Sequence, residues 1–165
     1  MPSYDRKTLE ELIDGKLPFS QVHQIMSSFK DPDRFDKYIE ILQDRVPYKE
    51  KIILPYGLHL NIVLKKSGDR IVKCDCGHEF CEYTTNWKEH SNVYVRDTEE
   101  KINEVYPKYM GCDPNWMVLR EFYCPECFTL LEVEAVPPGY PFVFDFKPDI
   151  DAFYKEWLNR PVPTV

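Results

Sequence analysis

Over the first fifty residues the apolar positions return every three or four residues, and from residue 52 onward they alternate. The early period predicts three helices. In the first, Leu9, Leu12 and Ile13 form one face, Thr8 and Glu11 make a capping box, and Gly15 ends the run. The second starts near Ser20 and carries Val22, Ile25, Met26 and Phe29 at helical spacing. Asp31 followed by Pro32 reads as an N-cap with proline in the first turn, opening a third helix striped by Phe35, Tyr38, Ile39, Leu42 and Val46 and stopped by Pro47.

The alternating region predicts strands. Ile52-Ile53-Leu54 before Pro55 is a short edge strand. Leu58, Leu60, Ile62 and Leu64, spaced by His59, Asn61, Val63 and Lys65, have the period of a half-buried strand. Ser67-Gly68-Asp69 then turns the chain into Arg70–Lys73. Further strands are expected at Trp116–Tyr123, at Phe128–Val136 with Leu131, Val133 and Ala135 inward and Glu132 and Glu134 outward, and at Phe142–Phe146. Between them lies an insertion anchored by Trp87 and Tyr94, with a helix capped by Asp97 and Glu100 and running to Tyr106. A last helix spans Asp149–Leu158 and bears Phe153, Tyr154 and Trp157. The fold class is α+β: a zinc-ribbon-like antiparallel β core with N-terminal helices and a C-terminal helical arm. Its parts are a helical arm (1–50), the β domain with its inserted loop (51–147), and a helix and tail (148–165).

Two strands lead into close cysteine pairs, Cys74-Asp75-Cys76-Gly77-His78 and Cys124-Pro125-Glu126-Cys127. Two such pairs are how chains build a four-thiolate zinc site, and four thiolates leave no open position for water. The metal ligands read from the sequence are therefore Cys74, Cys76, Cys124 and Cys127, and the zinc is structural. His78 and Cys81 lie close enough in sequence to replace a member of the first pair, and Cys112 stands apart as a packing residue. The zinc-deaminase pattern fails in both halves, because Tyr123 rather than proline precedes Cys124 and Glu79 falls three residues after Cys76.

Charge and composition narrow the options further. A formal net charge of −7 argues against nucleic acid as a partner. No apolar run reaches the roughly 20 residues of a membrane helix, and the N-terminal residues lack the apolar core of a signal peptide. Paired reduced cysteines suit the cytoplasm. There is no phosphate-binding G-x-x-x-x-G-K-[ST] loop and no nucleophile elbow. Aromatic residues make up 15% of the chain, and its 14 prolines outnumber 6 glycines, which suits stiff segments that present aromatic groups to partners.

Several long strings resemble the gamma-subunit family of acetone carboxylases: Asp14–Pro18, residues 25–31, Arg34–Tyr38, Ile41–Pro47, Cys74–Phe80, Val95–Lys101, Glu132–Pro141 and Phe153–Leu158. The resemblance covers nearly the whole chain. It implies a small subunit of a cytoplasmic bacterial complex with larger alpha and beta subunits, arranged as a dimer of alpha-beta-gamma trimers. That complex joins acetone to bicarbonate to give acetoacetate while ATP goes to AMP and two phosphates. The resemblance also puts ATP, Mg and Mn on the partner subunits, leaving this chain with no catalytic residue of its own. The competing readings are a free-standing zinc-ribbon adaptor that binds protein or nucleic acid, and a zinc hydrolase, which requires a three-ligand site.

Overall fold

The computed structural model describes residues 3–29 and 31–164; Met1, Pro2, Lys30 and Val165 lie outside the described residues. Three helices come first: α1 (Arg6–Ile13), α2 (Phe19–Ser27) and α3 (Arg34–Arg45). Two of their starts differ from the sequence expectation. Asp5, not Thr8, caps α1, its carboxylate accepting the Thr8 N–H at 2.8 Å. Asp31 is not the cap of α3. It is buried three residues before the helix, where it takes the Arg34 Nε–H at 2.6 Å and the Tyr4 N–H at 3.4 Å. A carboxylate that already holds a guanidinium has less reason to cap, and the helix opens at Arg34 with no side-chain cap.

Helix α3 joins this layer to the rest. Gln43 accepts the Ile52 N–H at 2.9 Å, and Phe35 meets the rings of Phe153 and Tyr154 edge-on at 5.1 and 6.0 Å. Exposed ion pairs Arg6–Asp44 and Arg45–Asp14 tie α1 across to α3. In α2 only Ile25 is buried, while Phe19 and Met26, and Phe29 just beyond the helix, face outward.

The strands form two antiparallel sheets. The first is a meander of β1 (Lys51–Gly57), β2 (Leu60–Leu64), β3 (Arg70–Cys74) and β4 (Glu79–Glu82). β1 runs through Pro55, which an edge strand with irregular register tolerates. Leu58, expected on β2, lies in the preceding turn and is exposed. β2 is buried at all five positions rather than on one side. Leu60, Ile62 and Leu64 join a core cluster with Val72, Phe122, Leu131, Ile150 and Tyr154, and Asn61 and Val63 on the opposite face are covered as well.

The second sheet is β5 (Asn92–Arg96), β6 (Val118–Tyr123) and β7 (Leu130–Val136). β5 comes from the insertion, preceded by a 3-10 turn (Trp87–His90) and followed by α4 (Glu99–Asn103). α4 is shorter than expected and is capped by Thr98. Trp116 is exposed ahead of β6. A register shift between Phe122 and Tyr123 makes Leu131 an extra residue in β7. Beyond it, Glu132 pairs with Phe122 and Glu134 with Arg120, so the glutamates share the face of buried Phe122 while Val133 and Ala135 are exposed. That inverts the expected sides of this strand. Phe80, Trp87, Phe122 and Phe142 form a run of edge-to-face rings, 5.5–6.0 Å between successive centroids, which crosses from the first sheet to the second.

The predicted strand Phe142–Phe146 joins neither sheet. The C-terminal helix is short: α5 (Ile150–Ala152) is capped by Asp149 and continues as a π turn through Trp157. Ile150 and Tyr154 belong to the core cluster, and the Tyr154 hydroxyl donates to the Ile53 carbonyl at 2.8 Å. Trp157 is 81% exposed.

Candidate metal centre

Each sheet delivers one cysteine pair at a hairpin tip, β3–β4 in the first and β6–β7 in the second. The two tips share one plan. In each, the residue after the second cysteine has positive φ, Gly77 at 106° and Phe128 at 57°. That turn sends its N–H back to the carbonyl of the first cysteine, Gly77 to Cys74 at 2.9 Å and Phe128 to Cys124 at 3.0 Å. The first cysteine's N–H then closes the loop on the carbonyl one residue further, Cys74 on His78 at 2.8 Å and Cys124 on Thr129 at 3.0 Å. The first tip has one residue between its cysteines and needs glycine to turn so sharply. The second has two, and its milder φ admits Phe128.

The four sulfurs converge. Cys74 Sγ lies 3.8 Å from Cys127 Sγ and Cys76 Sγ lies 3.7 Å from Cys124 Sγ, and all four are within 4.8 Å of one another. Four sulfurs at ~2.3 Å from a tetrahedral ion stand about 3.8 Å apart along each edge. The cluster is therefore of the right size and chemistry to hold a metal ion, and it brings together the four cysteines expected from the sequence. His78 and Cys81 are not members. The His78 ring packs edge-on against Phe80 at 4.9 Å, and Cys81 Sγ lies 3.5 Å from the Thr85 carbonyl. Burial pushes the Cys81 thiol up to about 11, the state of a packing residue. Cys112 Sγ is 3.3 Å from the Met117 carbonyl, away from the site.

The sulfurs are electrostatically unequal. Burial raises the Cys74 thiol well above its ordinary range. Cys76 is raised as well, mainly by burial and against the His78 N–H directed at its sulfur. At Cys127 burial also opposes ionisation. The Thr129 hydroxyl, 3.2 Å from the sulfur, and the Thr129 N–H outweigh it together with the neighbouring thiols, bringing Cys127 down to about 6. The first tip is further braced from behind. Asp75 takes Asn61 Nδ2–H at 2.8 Å and approaches His59 Nδ1 at 3.0 Å, and its N–H donates to the His59 carbonyl.

A family model described as acetone carboxylase gamma subunit matches residues 46–158. The chain belongs to that family. It is 50% identical over 162 residues, 98% of this chain and 96% of the relative, to the acetone carboxylase gamma subunit of Xanthobacter autotrophicus. It is 36% identical over 80 residues, 47% of this chain and 62% of the relative, to the acetophenone carboxylase beta subunit of Aromatoleum aromaticum. The family-matched span takes in both sheets, all four clustered cysteines and α5, and leaves out α1, α2 and α3. No helix among the described residues is long and apolar enough to cross a membrane.

A second set of charged residues escaped the sequence reading. Glu132, Glu134 and Asp145 bring three carboxylates together, but Lys88 already supplies their cation. Its Nζ lies 2.6 Å from Glu132 and 3.5 Å from Glu134, contacts Asp145, and sits over the Phe122 ring. Burial disfavours the charge of Lys88. Hydrogen bonds to Asp145 and Glu132 outweigh it and hold the ammonium above its usual pKa. The available signal was a lysine directly after the tryptophan anchor and two glutamates inside a strand. The bulge at Leu131 hid which way those glutamates face.

Proposed function

We propose that this chain is the small, zinc-binding subunit of an ATP-dependent ketone carboxylase that joins acetone to bicarbonate to give acetoacetate, with ATP going to AMP and two phosphates. Membership of the gamma-subunit family carries this reading. The chain's own inventory supports it: a cluster of four sulfurs, no G-x-x-x-x-G-K-[ST] loop for phosphates, and no nucleophile elbow. ATP, Mg and Mn belong to the larger alpha and beta subunits, and the complex is a cytoplasmic dimer of alpha-beta-gamma trimers.

Cys74, Cys76, Cys124 and Cys127 hold the zinc. Bound there, the ion supplies a crosslink between the two hairpin tips and offers no position for substrate or water. The chain therefore acts by shape, as a scaffold or gate for the large subunits. The exposed apolar residues of the N-terminal region, Phe19, Met26 and Phe29, together with Trp157 of the tail, are its outward anchors.

Co-expression with the two large subunits tests the reading. The chain is expected to co-purify with both, to retain about one zinc per chain when the subunits are separated, and to be required for acetone- and bicarbonate-dependent formation of AMP. A chain that purifies alone, and whose omission leaves carboxylation unchanged, overturns it.

A further inference from the structure

Residues 142–147, Phe-Val-Phe-Asp-Phe-Lys, alternate as a strand does, yet they pair with nothing. The chain runs from Tyr140 to Asp149 without turn or bend, and residues 141–148 make no backbone–backbone hydrogen bond among those described. Side chains of the body grip this strap by its carbonyls instead. Arg120 donates to Tyr140 O at 2.7 Å and Pro141 O at 3.2 Å, Asn86 to Phe142 O at 3.5 Å, and the Tyr56 hydroxyl to Phe146 O at 2.7 Å. Phe142 packs on Phe122, Phe146 stacks on Tyr56, and Asp145 meets Lys88.

The positions of these grips matter. In extended backbone, successive residues direct their N–H and C=O groups to opposite edges. The gripped carbonyls are Tyr140, Phe142 and Phe146, with Pro141 as the exception at the strap's start, so one edge faces the body. Val143, Asp145 and Lys147 then present their backbone polar groups on the other edge, and no partner among the described residues takes them. A strand-coding segment, held straight by its flank and with a free outer edge, is half of a β pairing.

We propose that Val143–Lys147 pairs along this outer edge with an extended strand of a larger carboxylase subunit, adding the strap to that subunit's sheet. This rests on the subunit reading above. A second copy of the chain fits less well, because its strap offers Lys147 no uncommitted carboxylate: Asp145 is held by Lys88, and Asp149 caps α5. Among the described residues Lys147 makes no ion pair, so it favours a partner strand with a carboxylate opposite.

Hydrogen exchange on the peptide covering 141–149, in the complex with both large subunits and in the chain alone, reads the pairing. Assembly is expected to slow exchange of the outer amides at least tenfold. Val143→Pro, which removes one outer N–H and leaves the contacts of Lys88 and Phe122 in place, is expected to weaken assembly at least tenfold while zinc content and melting of the chain stay unchanged. Co-purification with no slowing at the strap, or V143P assembling as tightly as the parent, overturns this inference and leaves the subunit reading intact. Protection that depends on concentration in the chain alone overturns it in favour of a second copy. Failure of the parent chain to co-purify at all overturns both.

Discussion

One interior strand of each sheet, β2 and β6, is buried along its length, but with different residues. β2 is Leu-Asn-Ile-Val-Leu, and β6 reads Val-Leu-Arg-Glu-Phe-Tyr, with Arg120 and Glu121 buried at its middle. In the first sheet β2 excludes water with mainly aliphatic groups, and the buried Lys73 of β3 pairs with partly exposed Glu50 and Glu79 at its edge. The second carries a charge on each face. Glu121 takes Arg96 Nε–H at 2.6 Å, and the same guanidinium donates to Glu104 and to the Lys101 carbonyl, so the pair clamps α4 onto the sheet. On the other face Arg120 reaches Glu134 at 2.8 Å and the carbonyls of the strap. Apolar burial is non-directional, and it suffices for a meander whose strands follow one another in the chain. The second sheet must hold an inserted loop and an unpaired strap in one place. Directional, charge-assisted hydrogen bonds do that.

The largest test of this contrast acts where the sheets meet. Cys127→Ser removes one of four sulfurs at the tip of the second sheet. Metal binding in small zinc modules contributes on the order of 10 kcal/mol to folding, so the variant is expected to lose both zinc and its cooperative thermal transition. Retention of a full equivalent of zinc by metal analysis would break the four-sulfur assignment.

Next in size is the buried pair. Arg96→Met leaves Glu121 charged and buried, and breaking such a pair costs about 3–5 kcal/mol. Denaturant unfolding should register that loss, with exchange rising first in α4. The double variant Arg96→Met/Glu121→Leu is expected to recover most of the stability while α4 stays mobile, since replacing a buried pair by apolar groups is often close to neutral. Full recovery of α4 protection in the double variant would mean that the pair adds nothing directional.

Acid separates the sheets more gently. Burial alone would raise the Glu121 carboxyl, but hydrogen bonds from Arg96 and Tyr123 outweigh it and set the folded pKa below the ordinary carboxylate value. A depressed folded pKa contributes stability that is present above the unfolded value, about 4.3, and is lost as pH falls through the folded one. Amide exchange followed from pH 6 to pH 3 should therefore rise first in β5, β6 and α4. The first sheet, where Lys73 and Lys65 hold the partly exposed Glu50 and Glu79 carboxyls low, should follow later.

How much of this was legible in the sequence depended on whether the signal was local. Helical period located α1 to α3, and the paired cysteines named the four-sulfur cluster, because knuckle geometry is set by adjacent residues. What failed needed long-range information. β4 has only four residues, and β5 lay in what read as an insertion, so the second sheet was not anticipated as a separate layer. The bulge at Leu131 reversed the faces of β7 and hid the ring of carboxylates around Lys88. Phe142–Phe146 has a strand's alternation but no partner in this chain, and alternation cannot say where a partner comes from.

The smallest effect compares the two tips themselves. Gly77 and Phe128 occupy equivalent positions, but φ of 106° at Gly77 is hostile to any side chain, whereas 57° at Phe128 lies in the left-handed region. Space is not the obstacle at Gly77, since an added Cβ would meet Tyr48 at an ordinary 3.8 Å. Gly77→Ala should thus cost about 1–2 kcal/mol through backbone strain alone. Phe128→Gly relieves a milder strain in an exposed residue, offset by the extra freedom glycine gains when unfolded, and should stabilise by less than about 1 kcal/mol. Chemical denaturation of both zinc-loaded variants measures the difference. Equal and opposite shifts would mean the tips are interchangeable, whereas the larger loss at Gly77 would mark the one-residue spacing as the more demanding turn.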